Sequence, residues 1–327
     1  MTDLPQSRHG NSQARPHAQR RPAGAARGDV RTRRGSRRFA PPERADAVEG
    51  SWDHVAEWYD SMVGEKGSDF HQSVIIPGVV KLLALKPGEA VLDIACGQGA
   101  VSNTLYRLGA DVTGVDISPQ LIEIARRRSP SEITYHVGDA RDLKKLDAGP
   151  FDAIVSVMSA QNIDPVEPMF AECARLLKPG GRFFMVISHP AFRIPRQSGW
   201  LWDEQRSLQV RTVDRYLSPL RIPIDMRPFK RPSEKQTWTY HRPVEAYVTM
   251  MGAAGLWTNA MEGWTSHKRS DSGPRADAEN HSRDEFPLFL AVRAVKVSAA
   301  EPRERRVGRE ARKPVAQDRR PPSGPRS

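Results

Sequence analysis

Between residues 90 and 187, short apolar runs alternate with amphipathic stretches, and this alternation constrains the fold more than any other feature of the 327-residue chain. Ala90–Ala95, Val112–Val115, Ile133–Val137, Phe151–Met158 and Phe183–Ile187 are too short for helices and read as buried strands. Helical faces separate them. Val101, Leu105 and Leu108 form one; Leu121, Ile122 and Ala125 form another, behind a Ser118-Pro119 start. A third opens with the acid-x-x-Glu pattern of Asp164 and Glu167, runs to Leu177 and stops at Lys178-Pro179-Gly180-Gly181. Strands alternating with helices imply an α/β fold with a parallel sheet covered on both faces. Right-handed crossovers then give a doubly wound sheet, with ligands beyond the carboxyl ends of its strands.

Outside this block the pattern is less regular. Helices are expected over Trp52–Asp60 and from about Ser68 to Leu85, upstream of the first strand. Residues 190–241 hold many prolines and aromatic clusters with no period, as an insertion over the sheet mouth would. A helix over Pro243–Ala254 and strands near Leu256–Trp264 and Phe286–Val297 follow, with Pro287 placing the last at a sheet edge.

The whole chain carries +11, but the charge sits at its ends. Residues 1–46 have 11 arginines against 4 acids, and residues 297–327 have 9 basic residues against 4. Removing their +7 and +5 leaves residues 47–296 at −1. Both ends are too polar to bury a core and are expected to be disordered basic tails around one folded domain, 47–296. Nucleic acid or a membrane surface are possible partners for them, although no aromatics are interleaved with the arginines to stack on bases. No apolar window is long enough to span a membrane, and the start lacks the apolar core of a secretory leader. Cys96 and Cys173 give neither a disulfide framework nor a metal-binding spacing, so no metal is expected and a reducing, cytoplasmic setting is.

Four features fall at consecutive strand ends. Asp93 precedes the turn Gly97-x-Gly99, where glycine permits unusual torsions and close approach of a ligand. Asp116 ends the second strand, where a carboxylate suits two ribose hydroxyls, or alternatively caps the next helix. Gly138-Asp139-Ala140 ends the third, and Ser156–Gln161 spans the end of the fourth. A dinucleotide fingerprint needs a third glycine where this chain has Ser102. Three acids around a glycine turn suit a cationic, phosphate-free adenosine ligand better.

The segments VLDIACGQGA (91–100), DVTGVDIS (111–118), VGDARDL (137–143), FDAIVSVMSAQNI (151–163) and ECARLLKPGGRFFMVIS (172–188) together resemble the class I S-adenosylmethionine-dependent methyltransferases of the small-molecule type. The resemblance implies a Rossmann-like sheet of seven strands with the last antiparallel, and S-adenosyl-L-methionine as cofactor. It implies that Asp93, Ala95, Gly97 and Gly99 surround the methionine part, and that Asp116 and Ile117 meet the ribose and adenine. Asp139 and Ala140 would face the adenine, and Ser156 or Met158 the transferred methyl. Tyr59, in Trp58-Tyr59-Asp60, would cover the cofactor from a lid helix.

Methyl transfer from a sulfonium needs chiefly in-line alignment, and a general base depends on the acceptor. His189, directly after the fifth strand, is the candidate base; its alternative is a hydrogen bond to the backbone before Pro190. Tyr240, His241 and His267 are further candidates. Trp200, Trp202 and Trp238 either shape an acceptor pocket or fill a small core of the insertion. Residues 190–242 carry 11 basic residues against 5 acids, among them Arg193, Arg196, Arg211 and Arg215. They suit an acceptor bearing carboxylate or phosphate, or else pair with acids of the core. A small-molecule acceptor is expected, methylated on O, N or C. A nucleic-acid methyltransferase is the alternative, although Ser159-Ala160-Gln161-Asn162 lacks the Asn/Asp-Pro-Pro-aromatic run common in amino-methylating members. A non-catalytic cofactor-binding regulator is the other.

Overall fold

The computed structural model describes residues 52–224 and 237–297. The expected tails lie outside these residues apart from Val297, as does the stretch 225–236 of the insertion.

Seven strands form one sheet: β1 (Ala90–Ile94), β2 (Asp111–Asp116), β3 (Thr134–Val137), β4 (Phe151–Val157), β5 (Leu177–Ser188), β10 (Leu256–Trp264) and β11 (Phe289–Lys296). Their order is β10-β11-β5-β4-β1-β2-β3, and β11 runs antiparallel to both neighbours while β1 to β5 are parallel. This is the expected doubly wound sheet with its last strand reversed.

Successive residues of each strand feed opposite faces. Leu92, Ile154 and Phe183 join a core closed by α5 (Glu167–Leu176) and α6 (Val244–Ala253). Val91, Val155 and Phe184 join a second core under α2 (Ile76–Leu83), α3 (Ala100–Arg107) and α4 (Pro119–Arg128). These six side chains are fully buried, each contributing roughly 1.5–3 kcal/mol of transfer free energy. Burial on both faces is why the strands appear as continuous apolar runs.

Local signals place the helix starts. The Ser118 hydroxyl accepts from Leu121 N–H at 3.2 Å with Pro119 at the first helical position, as expected. Asp164 does not cap α5: Val166 precedes the helix, and the Asp164 carboxylate pairs with Arg242 instead. The expected helix from Ser68 contains a π-helical turn, His71–Ile75, before α2.

Three further expectations are corrected. Pro287 does not mark an edge: β11 lies inside the sheet between β5 and β10, and Pro287 stands just ahead of its paired residues. Phe286 caps a helix, α7 (Ala276–Glu285), that the sequence pattern did not reveal. The insertion contains two hairpins, β6 (Ser198–Asp203) with β7 (Leu208–Val213), and β8 (Leu220–Ile224) with β9 (Thr237–His241). The first showed no period because Trp200 and Leu201 are both exposed, so burial does not alternate along β6.

The sheet order reverses between β1 and β4, and a crevice opens there at the carboxyl ends. The two residues that follow these strands, Ala95 and Met158, both adopt left-handed torsions, with φ 56° and 58°. Such backbone costs a non-glycine residue about 1–2 kcal/mol and marks strain held at the switch point. Over the crevice lies α1 (Ala56–Val63), held to α4 by an Asp60–Arg128 ion pair and to the start of α4 by Asp53, which accepts from the Ser118 hydroxyl at 2.9 Å.

Candidate active site

The turn after β1 is built from both sides. Gly97 and Gly99 have φ of 57° and 86°. Asp116, at the end of β2, accepts from Gly97 N–H at 2.8 Å and from Ser118 N–H at 2.9 Å. Of the two alternatives for Asp116, the contact at the helix start is present, and the same carboxylate orders the turn. Asp93 accepts from the Ser102 hydroxyl at 2.6 Å. Ser102, the residue that spoils the dinucleotide fingerprint, is thus the partner of the acidic strand end. Tyr135 of β3 supports the turn from behind, its hydroxyl 2.8 Å from Ser129 Oγ and its ring crossing Gly114.

Asp93 and Asp116 are both buried, and neither has an ion-pair partner among the described residues. Burial pushes both carboxyls up, Asp93 to about 7, with the Asp116 charge adding to that shift. Two buried, cation-free carboxylates beside a glycine turn fit a ligand bringing its own positive charge, as the sulfonium and ammonium of S-adenosylmethionine would. A sign follows for pH. The folded value of Asp93 lies above the ordinary carboxylate value, so the unliganded fold loses stability as pH rises from about 4 to about 7. A cationic ligand favours the ionised form, so its affinity is expected to drop about tenfold per unit below pH 7. Calorimetric titration of S-adenosylmethionine from pH 5.5 to 8 checks this, and Asp93→Asn is expected to flatten the profile.

The lid closes on this turn. Tyr59 of α1 packs against Gly97, where an added Cβ would lie 3.4 Å from its ring, and Trp52 meets Tyr59 edge-on with ring centres 5.6 Å apart. Burial and the nearby Asp116 and Asp93 charges raise the Tyr59 phenol, keeping it neutral. Tyr59 and Met158 also border a cavity of about 390 Å³ between the lid, the start of α2, the ends of β4 and β5, and β9.

The expected site residues divide accordingly. Asp93, Ala95, Gly97, Gly99, Asp116 and Ile117 gather at the ends of β1 and β2. Asp139 is clamped by Arg141, whose guanidinium also reaches the Asp164 carbonyl, and Arg141 holds the Asp139 carboxyl below its ordinary value against the opposing effect of burial. Ala140 belongs to the core. Ser156 is fully buried and pairs with Ser159 at 2.7 Å, so of the two residues at the end of β4 only Met158 reaches the cavity.

On the acceptor side, Arg193, Tyr240 and His241 line the cavity. His189 does not: its Nδ1 accepts from Ala191 N–H at 3.2 Å, its ring stacks on Phe192, and burial lowers it to about 4. The backbone contact of His189 is thus made after Pro190 and not before it, and its side chain stands off the cavity lining. Trp200 and Trp202 are also away from the cavity; they stack under Arg211 and Arg275, and Trp200 meets Phe286. Trp238 stacks with Arg221, and His267 pairs with Asp69 on the surface. Arg211 is spent on the Phe192 carbonyl and the Ser198 hydroxyl, and Arg196 and Arg215 are exposed.

Sequence reasoning missed His71 and named Gln161 only as the end of the run Ser156–Gln161. His71 sits on the cavity wall with Nδ1 2.8 Å from the Ser68 hydroxyl, and burial lowers its pKa. Gln161 lines the same wall and accepts from Ser188 N–H at 2.7 Å. Only the contiguity of Gln161 with the fourth strand end offered a signal. His71 stood in a helix with no mark of its side.

Residues 92–185 match the family described as a methyltransferase domain. The chain is 38% identical over 101 residues to a ubiquinone biosynthesis O-methyltransferase of Xanthomonas oryzae pv. oryzae (strain PXO99A), covering 30% of this chain and 42% of that protein. It is 42% identical over 113 residues to a demethylmenaquinone methyltransferase of Tropheryma whipplei (strain Twist), covering 34% and 46%. The chain thus spans about half the length of these curated relatives. A crystal structure of an S-adenosylmethionine dependent methyltransferase from Mesorhizobium loti superposes with TM-score 0.52 at 25% identity, over 67% of this chain and 96% of that one. The matched segment runs from the first strand to the fifth, through the glycine turn and the acidic strand ends, and over it the chain is similar to S-adenosylmethionine-dependent methyltransferases.

Proposed function

We propose that this protein transfers a methyl group from S-adenosylmethionine to a small molecule held in the cavity under α1. The observation that carries the reading is the adjacency of two differently built compartments. One holds the buried, cation-free carboxylates Asp93 and Asp116; the other is an apolar cavity, and Tyr59 and Met158 border both it and the strand ends. The cofactor supplies a methyl made electrophilic by its sulfonium. The chain's own residues do the rest. Asp116 holds the ribose, Asp93 the charged methionine end, and Asp139 stands at the adenine end of the crevice. Tyr59 and Trp52 exclude water, and the wall at Met158 sets the approach line of the acceptor. Alignment of this kind is worth up to about 7–11 kcal/mol in ideal cases.

For acceptors that must lose a proton, His71 and His241 replace His189. Both lie on the cavity wall, and burial keeps both neutral. His241 Nε2 donates to the Tyr216 carbonyl at 2.7 Å, which leaves Nδ1 as the free lone pair. The names of the curated relatives, one a ubiquinone biosynthesis O-methyltransferase and the other a demethylmenaquinone methyltransferase, support a small acceptor.

Methyl-labelled S-adenosylmethionine incubated with the protein and a cell extract tests this reading. Label is expected in the small-molecule fraction and not in RNA or DNA. Labelled nucleic acid instead would establish the alternative class. Stoichiometric cofactor binding without label transfer would establish the regulator.

A further inference from the structure

Among the described residues, three buried side-chain atoms without a hydrogen-bond partner belong to residues of the one cavity: Asn162 Oδ1, Arg193 Nη1 and Arg242 Nη1. Arg242 is otherwise engaged, its Nη2 donating to the Ile163 carbonyl at 3.0 Å and to the Asp164 carboxylate. Arg193 has no such engagement. No carboxylate lies within ion-pair distance of it among the described residues, and its nearest charge of note, Arg211, has the same sign. Its guanidinium lies 5.2 Å from the centre of the Phe289 ring, which covers one face and leaves the donor edge open. Burial and Arg211 both work against its charge. Arg193 as a whole is half-buried, with Nη1 sealed from solvent; an unpaired cation so placed is costly to a fold, and a native site that keeps one has a partner for it.

The rest of the wall says what partner. Among the described residues, two arginines and no carboxylate face the cavity, and its apolar lining includes four aromatic side chains, Trp52, Trp58, Phe70 and Phe289. We infer that the acceptor is a flat, apolar acid whose carboxylate pairs with Arg193 while its ring system lies among these aromatics. The inference rests on the methyltransferase reading of the same site. A carboxylate fits better than a phosphate, because one open guanidinium edge matches a planar monoanion. A dianion in this aromatic wall would leave charge unpaired. Arg193 then fixes the end of the acceptor and so decides which atom faces the methyl.

The test uses the full chain saturated with S-adenosylhomocysteine. The probes are 2-naphthoate and cinnamate, each against its neutral amide, titrated calorimetrically. Each acid is expected to bind at least tenfold more tightly than its amide. Arg193→Met should abolish that preference and Arg193→Lys retain part of it. Arg193→Met should also raise the Tm of the unliganded chain by a few degrees, since it removes an unpaired buried charge; a merely structural arginine would lower it. Equal binding of acid and amide to the wild type, or a preference that survives Arg193→Met, overturns the inference. Failure of S-adenosylhomocysteine itself to bind overturns the methyltransferase reading instead, and the acid–amide comparison is still decided on the unliganded chain.

Discussion

Asp116→Ala is expected to weaken S-adenosylhomocysteine binding by about a hundredfold or more while the sheet stays folded. The carboxylate is buried at the end of β2, and it holds Gly97 N–H and Ser118 N–H at 2.8 and 2.9 Å. In the proposed reading it also accepts from the ribose hydroxyls. Two charge-assisted hydrogen bonds at roughly 1.5 kcal/mol each give about 3 kcal/mol, which is about a hundredfold in affinity. Loosening of the glycine turn adds to the loss. Fold stability should move less, because removing a buried carboxylate without a cation partner relieves a desolvation cost while orphaning two N–H groups. Calorimetric titration and thermal melting of the same samples separate the two effects. Undiminished affinity in the alanine variant would remove Asp116 from the ribose site.

Gly99→Ala is expected to cost about 3 kcal/mol of stability and to misplace the turn. The position has φ 86°, which costs an alanine about 1–2 kcal/mol. Its Cβ would also stand 2.5 Å from the Tyr135 hydroxyl oxygen and 3.2 Å from Ala125 Cβ, an overlap worth about 1–3 kcal/mol. At roughly 2–4 °C of Tm per kcal/mol for a domain of this size, melting should fall by about 10 °C. Tyr135→Phe removes the oxygen that the new methyl meets. The double variant should therefore be less destabilised than the sum of the singles, by about 1 kcal/mol. Strict additivity in that cycle would mean that the torsion alone, and not Tyr135, requires glycine at 99.

Much of the architecture was legible before any coordinates. β1 and β4 are apolar runs because both their faces are buried, and a run of that length has few other uses. Ser118-Pro119 announced α4 through a local hydrogen bond and a local torsion, both of which depend only on neighbours in the chain. α7 was not legible. Among its ten residues only Ser282 is buried, so no apolar period exists to be found. The hairpins of the insertion were hidden for a related reason: Trp200 and Trp202 stack with arginines at the surface rather than packing in a sheet core. Pro287 misled because a proline ahead of a strand and a proline in an edge strand look alike in sequence.

The site shows the same division. Asp93, Gly97, Gly99 and Asp116 were identifiable because their roles are set by strand ends and backbone torsions, which the chain encodes locally. Ser102 is nine residues from Asp93, and its hydroxyl contact required the turn to fold back on the strand end. The four arginines singled out in the insertion were equivalent in sequence. Tertiary structure spent Arg211 on a carbonyl, left Arg196 and Arg215 in solvent, and set Arg193 unpaired on the cavity wall. It likewise turned His189 to the backbone and brought His71 and His241 to the wall. The sequence by itself determined the doubly wound sheet, the acidic strand ends and the glycine turn, because periodicity, capping and torsional freedom act between neighbours in the chain. Which side chains meet across the crevice, and which cation is left for a ligand to neutralise, was decided only by packing between segments far apart in sequence.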